Sequence, residues 1–319
     1  MASNGFAEET AMGIFRRREV EFLSKGEKVR GDLVLPDGSG PFPLLIMGGG
    51  WCYVKEIVMP HYAKAIVAKG VAVLMFDYRC MGASEGQPRQ HIDPAAQIED
   101  FKSAVTYGES LPEIDAQRIG VWGISYAGGH VLAVGATDER VKCVISNIPV
   151  VDGYENMRRV HGSRRFHELN ELILADRRER TREGSAGGRL PMSSTQPFEE
   201  LCTWPFPSIH TIFHDIKARE APRHEHWSTV ESTELLLSYD VAPFAKRLYD
   251  KPVLMVVAEG DDITLWDIEI GVFNSIPSVR KQLAVLPKVS HMSLYSNQSD
   301  LTIAGRLAAD FAAEHLRAN

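Results

Sequence analysis

No apolar run in the chain approaches the ~20 residues that a membrane-spanning helix needs, so no span is expected. Positive charge is not in excess either. Lys and Arg number 35 against 42 Asp and Glu, a net charge of -7, which argues against nucleic acid as a partner. Cysteine is sparse: Cys52, Cys80, Cys143 and Cys202 are scattered without metal or redox spacing and read as reduced thiols. The segment from Met1 to Phe15 mixes Glu, Thr, Asn and Gly and lacks the apolar core of a secretory signal, so a cytoplasmic location is expected. There is no Gly-Lys-Ser/Thr phosphate loop and no dinucleotide fingerprint, which sets aside the common nucleotide-binding classes. The remainder is an ordinary globular balance of 319 residues, 44% hydrophobic and 24% charged, enough for one sizeable core plus an insertion.

Within that ordinary background, Gly123-Ile124-Ser125-Tyr126-Ala127 is distinctive. It follows the apolar run Arg118 to Trp122 and precedes a small-residue stretch, Gly128 to Val134. This is the pattern of a strand, a sharp turn with serine at its apex, and a helix. Such a turn lifts the hydroxyl above the sheet edge and points the helix dipole at it. Small residues are needed at 123 and 127 because strand and helix backbones nearly touch. The usual pattern ends in Gly, and Ala127 adds one methyl. A serine between small residues is also a common helix start, so the reading depends on partners.

Those partners follow in the required order. Pro252 to Ala258 is an apolar run without alternation, the signature of a buried parallel strand, and it ends in Glu259-Gly260-Asp261-Asp262. Lys281 to Pro287 is the next strand candidate, followed by Lys288-Val289-Ser290-His291-Met292. An acid and a histidine thus each sit after a strand, on the sheet edge where open α/β sheets bind ligands. A lone histidine there is more often structural, but three ordered residue types at three strand ends favour a serine-nucleophile site.

On these residues the chain resembles the α/β-hydrolase superfamily, in particular its dienelactone-hydrolase-like and X-Pro-peptidase-like esterase branch. The segment Phe76-Asp77-Tyr78-Arg79-Cys80-Met81-Gly82-Ala83-Ser84-Glu85-Gly86 is similar to that branch's DYRGxGxSxG loop, with Cys80 in place of Gly. The resemblance implies a mostly parallel eight-stranded sheet flanked by helices, a nucleophile at Ser125, a base at His291 and an orienting acid at Asp261. Asp262 and Glu259 compete for the acid role. Asp261 is preferred because the family's acid follows a Gly/Ala-Glu-x lead-in, matched by Ala258-Glu259-Gly260. The oxyanion hole is expected after strand Pro43 to Met47, in Gly48-Gly49-Gly50-Trp51, where relatives usually carry His-Gly in place of Gly49-Gly50. Its donors are expected to be the backbone N–H groups of Trp51 and Tyr126, with Gly50 as substitute for Trp51. Cys52 and Cys80 fall on loops beside this site.

The expected elements are an antiparallel pair, Val20 to Leu23 and Val29 to Leu35, and a helix from Tyr62 to Ala68. Val71 to Phe76 reads as a strand, and Asp93-Pro94 starts a capped helix with Ile98, Phe101 and Val105 on one face. Val141 to Ile145 reads as a strand, and the closing helix from Asp300 has an apolar face including Ile303, Leu307 and Phe311. Residues 1–150 and 240–319 then form the core, and 151–239 a helical lid. Within the lid, Arg177 to Glu183 reads as a solvated charged face and Gly184 to Gly188 as a flexible loop. Trp204 and Phe206 are candidates to line an apolar substrate pocket, or else simply pack the lid on the core. Arg158, Arg159, Arg164 and Arg165 form either a solvated basic face or, with one turned inward, a clamp for a substrate carboxylate. The clamp would make the substrate a half-ester, as in monoalkyl phthalate hydrolases. His210 and His214 are spaced i,i+4, and His224 and His226 flank Glu225, but no third ligand stands out beside either pair, so no metal is expected. The expected activity is hydrolysis of a small carboxylic ester without a cofactor. C–C, amide or thioester cleavage and a non-catalytic ligand-binding role are the alternatives, and homo-oligomerisation is left open.

Overall fold

The computed structural model describes residues 8–9 and 14–317, so most of the Met1 to Phe15 segment lies outside the described residues. The chain begins with β1 (Glu8–Glu9), β2 (Ile14–Ser24), β3 (Glu27–Leu35), β4 (Phe42–Gly48), α1 (Met59–Val67), β5 (Ala72–Phe76), α2 (Pro94–Glu109), β6 (Ile114–Ile124), α3 (Tyr126–Thr137) and β7 (Val141–Asn147). A long excursion follows: α4 (Gly153–Glu183), β8 (Arg189–Pro191), α5 (Pro207–Arg219), β9 (Trp227–Thr229), α6 (Val230–Leu237) and α7 (Ala242–Ala245). The chain then returns as β10 (Val253–Ala258), α8 (Trp266–Ser275), β11 (Lys281–Leu286), α9 (Ser293–Ser296) and α10 (Gln298–His315).

Among the described residues, the main sheet has the order β1-β2-β3-β5-β4-β6-β7-β10-β11. Setting the two-residue β1 aside leaves eight strands. β2 and β3 are antiparallel neighbours, turning at Lys25-Gly26, and from β5 through β11 every pairing is parallel. The parallel strands are covered on both faces, which is why they read as continuous apolar runs. Trp122 meets Tyr62 of α1 at a ring separation of 4.8 Å, while Leu44 and Ile119, on the other face, lie against Gly108 of α2. α1 packs on α10, and α2 on α3.

The Asp93 carboxylate caps α2 as expected, accepting from the N–H groups of Ala95 and Ala96. Phe101 and Val105 are fully buried, and Ile98 packs at the edge of the core. The closing helix differs from expectation at Ile303, which is 37% exposed. α10 buries a stripe of Leu301, Ala304, Ala308 and Phe311 instead, because Gly305 comes up against Ala65 of α1 and small residues allow that close approach.

The excursion leaves and rejoins the sheet at one place, where Asp152 and Asp240 form an antiparallel bridge. It has a small core of its own, Leu169, Ile173, Leu190 and Val230. α4 is two helices joined at Gly162, whose φ of 63° and ψ of 172° no helix permits. The charged run at its end is not simply solvated. Arg180 is largely buried and donates to Asp176 at 2.7 Å, Glu231 at 2.8 Å and Glu234 at 2.6 Å. The glycine loop after it is also tied down at its end, where Gly188 N–H donates to Asp176 Oδ1 at 2.6 Å and its carbonyl accepts from Val230 N–H at 2.9 Å.

Candidate active site

Four loops at the C-terminal ends of β4, β6, β10 and β11 converge on one sheet edge. Parallel pairing fixes this alignment: Gly48 lies opposite Gly123, Ile124 opposite Asn147, and Ala258 opposite Leu286.

Ser125 sits at the turn between β6 and α3 with φ 57° and ψ -118°, a conformation rare for a side-chain-bearing residue. Its backbone is held there because its N–H donates to Asn147 O at 2.9 Å and its carbonyl accepts from Gly128 and Val150. A Cβ at Gly123 would lie 2.1 Å from Ala127 O, and one at Gly129 would lie 2.2 Å from Val150 O. These glycines let the strand, turn and helix close on one another, and the extra methyl of Ala127 is fully buried without disturbing the turn.

Asp261 and His291 meet from neighbouring strand ends. His291 Nδ1 donates to Asp261 Oδ2 at 2.8 Å, and both side chains are buried. The other oxygen, Asp261 Oδ1, accepts from the N–H groups of Ile263 at 2.9 Å and Thr264 at 3.1 Å. Thr264 Oγ1 donates to Asp261 Oδ2 at 3.0 Å and stands 3.2 Å from His291 Nδ1. Burial alone would raise the Asp261 pKa, but the facing imidazole and these hydrogen bonds hold it below the ordinary carboxylate range. Asp262 and Glu259, the competing acids, are both exposed.

Ser125 and His291 line the same cavity together with Trp51, Met192, Trp204, Ile209, Phe213, Ile263, Met292 and Tyr295. No hydrogen bond joins their side chains in this structure, a common state of such pairs before substrate binds. The Tyr295 ring lies over His291, 5.7 Å between centroids and 19° from parallel. Its hydroxyl faces Ser125 and Tyr53, and burial raises its pKa. The cavity is only about 20 Å³, room for roughly one water molecule.

Gly50 packs directly on the serine: a Cβ there would lie 3.0 Å from Ser125 Cβ and 3.3 Å from its Oγ. Beyond it, the Trp51 ring meets Tyr126 at a tilt, 5.2 Å between centroids, and Trp204 edge-on at 6.3 Å. Among the described residues, the N–H groups of Trp51 and Tyr126 make no backbone hydrogen bond. The loop is anchored from below by Asp77, which accepts from Lys55 N–H at 2.6 Å and Ala83 N–H at 2.8 Å. Burial lifts the Asp77 pKa to about 6. Cys80, at the family's glycine position, adopts φ 68°.

Other candidates lie elsewhere. Phe206 precedes α5 and packs against the core without lining the cavity. Arg158 and Arg159 do not reach it either. Arg159 donates to Asp267 at 2.8 Å and Arg158 to Glu155 at 3.5 Å, both on the exposed side of α4. Arg164 and Arg165 pair with Glu168. None of the four lines the cavity with Ser125, so the inward clamp is corrected: Glu155, Glu168 and Asp267 on α4 and α8 pair with these guanidinium groups, and the less exposed Arg165 also donates to Pro197 O at 3.1 Å. Sequence reasoning missed Thr264, Tyr295, Ile209, Phe213 and Met192. None belongs to a motif, and only His291 followed four residues later by Tyr295 hinted at a pairing on one helical turn. Among the described residues, one cluster could hold a metal: His210, His214 and His226 bring one ring nitrogen each to within 4.8 Å of the others.

The family pattern of X-Pro dipeptidyl-peptidase (S15 family) matches residues 25–287. The chain belongs to this family. Relatives with different printed names match the chain. The thiohydrolase aneE of Aspergillus aculeatus is 30% identical over 271 residues, covering 82% of this chain and 83% of its own. The quorum-quenching protein AidA of Acinetobacter baumannii is 41% identical over a shorter stretch of 138 residues, 43% of this chain and 45% of its own. The crystal structure of the α/β hydrolase GrgF from Penicillium sp. sh18 superposes with a TM-score of 0.77 at 26% identity, covering 94% of this chain and 99% of that one. The S15 chain described here thus has the α/β-hydrolase fold and belongs to a family of hydrolases.

Proposed function

We propose that the chain is a serine hydrolase that cleaves a carboxylic ester through an acyl-enzyme on Ser125. The observation that carries this reading is the His291–Asp261 hydrogen bond at 2.8 Å, placed in the same cavity as a serine at a strained strand-to-helix turn. Asp261 holds the Nδ1–H of His291, which leaves Nε2 as the base. In the first half-reaction Ser125 Oγ bonds to the carbonyl carbon and its proton passes to Nε2. The oxyanion is stabilised by the N–H groups of Trp51 and Tyr126. Nε2 then protonates the leaving oxygen as the C–O bond breaks, and water repeats the sequence on the acyl-enzyme.

The walls of the cavity suit an apolar acyl group. Four of them, Met192, Trp204, Ile209 and Phe213, come from the segment 151–239, which acts as a lid. With only about 20 Å³ available, substrate enters when this wall moves. The outer position of Arg158 and Arg159 supports a neutral substrate, not a half-ester.

A second reading is favoured by one relative's name. AneE is a thiohydrolase, so the leaving group here would be a thiol on the same Ser125 chemistry. The test is a matched pair, one acyl group as its ethyl ester and as its N-acetylcysteamine thioester, with fluorophosphonate labelling of the wild type and of S125A. Labelling confined to Ser125 and a higher kcat/KM on the ester are expected. Preference for the thioester transfers the assignment to the second reading. Labelling that persists in S125A, or turnover unchanged by it, overturns both.

A further inference from the structure

Four histidines from two separate sequence pairs cluster together in the segment 151–239. The His210 and His214 rings are 4.0 Å apart, and the His226 ring lies 5.1 Å from the first and 4.6 Å from the second. We propose that His210, His214 and His226 form a binding site for a divalent transition metal of zinc's class, which staples helix α5 to the loop entering β9.

The hydrogen bonds fix which nitrogens carry a lone pair. His214 Nδ1 donates to the carbonyl of His210 at 2.8 Å, and His210 Nδ1 to the carbonyl of Ser193 at 3.3 Å. A carbonyl can only accept, so both rings carry their proton on Nδ1 and a lone pair on Nε2. The third ring is set by a relay. His224 Nδ1 stands 2.9 Å from the carbonyl of Cys52 and must donate to it, which leaves His224 Nε2 as an acceptor. His226 Nδ1, 3.1 Å from that Nε2, must therefore be the donor. His226 Nε2 thus also carries a lone pair, which accepts from the Ser193 hydroxyl at 2.7 Å.

Each of the three Nδ1–H groups is thus donated to a carbonyl or to a further imidazole behind it, the arrangement that orients metal-binding histidines. Ring nitrogens within 4.8 Å of one another need small ring movements to reach the ~3.4 Å separation of a tetrahedral zinc site with ~2.05 Å bonds. The i,i+4 spacing on α5 puts His210 and His214 on one face, and water supplies the fourth position. Three nitrogen donors with no carboxylate or thiolate suit zinc, nickel or copper over magnesium or calcium.

The site has a mechanical consequence. α5 carries Ile209 and Phe213, two walls of the cavity over Ser125, and Phe213 lies 5.2 Å from the His224 ring. The relay ends on Cys52, one residue after Trp51. A metal here would hold the lid wall against the glycine-rich loop.

The assignment is tested without reference to hydrolysis. Untagged, chelator-stripped protein is titrated with Zn²⁺ by calorimetry at pH 7.5, beside H214Q and H210Q, with folding checked by circular dichroism. His214 is exposed, so its replacement leaves the core untouched. The expected result is one equivalent bound by the wild type, a Tm raised by Zn²⁺, and affinity lost about 100-fold or more in H214Q, beyond the loss from a residue behind the ligands. Co²⁺ in place of Zn²⁺ is expected to give the visible bands of a four-coordinate site. No binding at micromolar Zn²⁺, or binding equally strong in the folded H214Q and H210Q variants, overturns the proposal.

Discussion

A methyl group added at Gly50 would press on both Cβ and Oγ of Ser125, at 3.0 and 3.3 Å. The neighbour that must yield is Ser125, the proposed nucleophile, or the loop proposed to carry the oxyanion donors. G50A is therefore expected to lower kcat by about 10²-fold, comparable to losing one such donor, while the Tm stays within a few degrees. Unchanged kcat would place the oxyanion donors elsewhere. The acids separate in the same way. D261N removes the acceptor of His291 Nδ1 and is expected to cost about 10⁴-fold in kcat, whereas D262N, on an exposed side chain, is expected to leave kcat near wild type. The reverse order, read from the same steady-state assays, would reassign the acid.

The lid elements are held by a different kind of contact. Its own apolar cluster is small, and Arg180 links α4 to α6 through two carboxylates, Glu231 and Glu234, while also pairing with Asp176 of its own helix, with only 13% of its side chain exposed. Removing one member of a partly buried network leaves the others unpaired, so the cost exceeds that of a surface pair. R180A is expected to destabilise the lid by about 1–3 kcal/mol and to speed proteolysis at Gly184 to Gly188, with the unfolding transition of the sheet preserved. A cleavage rate equal to wild type would show that packing, not this network, holds α4 in place.

Taken as a whole, the molecule buries titratable groups of opposite consequence. His130, fully buried between Tyr239 Oη and Gln97 Oε1, is pushed down to about 3, and His224 to about 4. Unfolded histidines take up protons below about pH 6.5, so each of these groups contributes stability that is complete above that pH and lost as pH falls. Asp77, raised to about 6, and Glu269, buried beside Asp261 with both oxygens unpaired and raised by burial, act in the opposite sense. A comparison with one variant isolates the histidine. H130Q is expected to be less stable than the wild type at pH 7.5. That deficit should shrink by about 1.4 kcal/mol per pH unit below about pH 6.5, because only the wild type pays to keep this ring neutral. Urea unfolding at pH 5.5, 6.5 and 7.5 measures it, and a deficit constant across the three would show that His130 is not neutral in the fold.

The strand runs, the Ser125 turn and the order of serine, acid and histidine were legible because each is local. Apolar runs of five to seven residues mark buried parallel strands, small residues mark a backbone contact, and strand ends bring such residues to one edge whatever the loops between them do. The preference for Asp261 over Asp262 rested on resemblance alone, since side-chain direction in a turn depends on how Ile263 and Thr264 donate to it. The lid was not legible in detail. The outward turn of Arg159 depends on Asp267 of α8, and the burial of Arg180 depends on α6, more than fifty residues further along the chain. The third histidine follows the same logic: His226 is twelve residues beyond His214, and neither composition nor spacing brings them together. Contacts within a turn or between adjacent parallel strands are set by local geometry, whereas contacts between elements joined by long, irregular connections depend on how the whole chain packs.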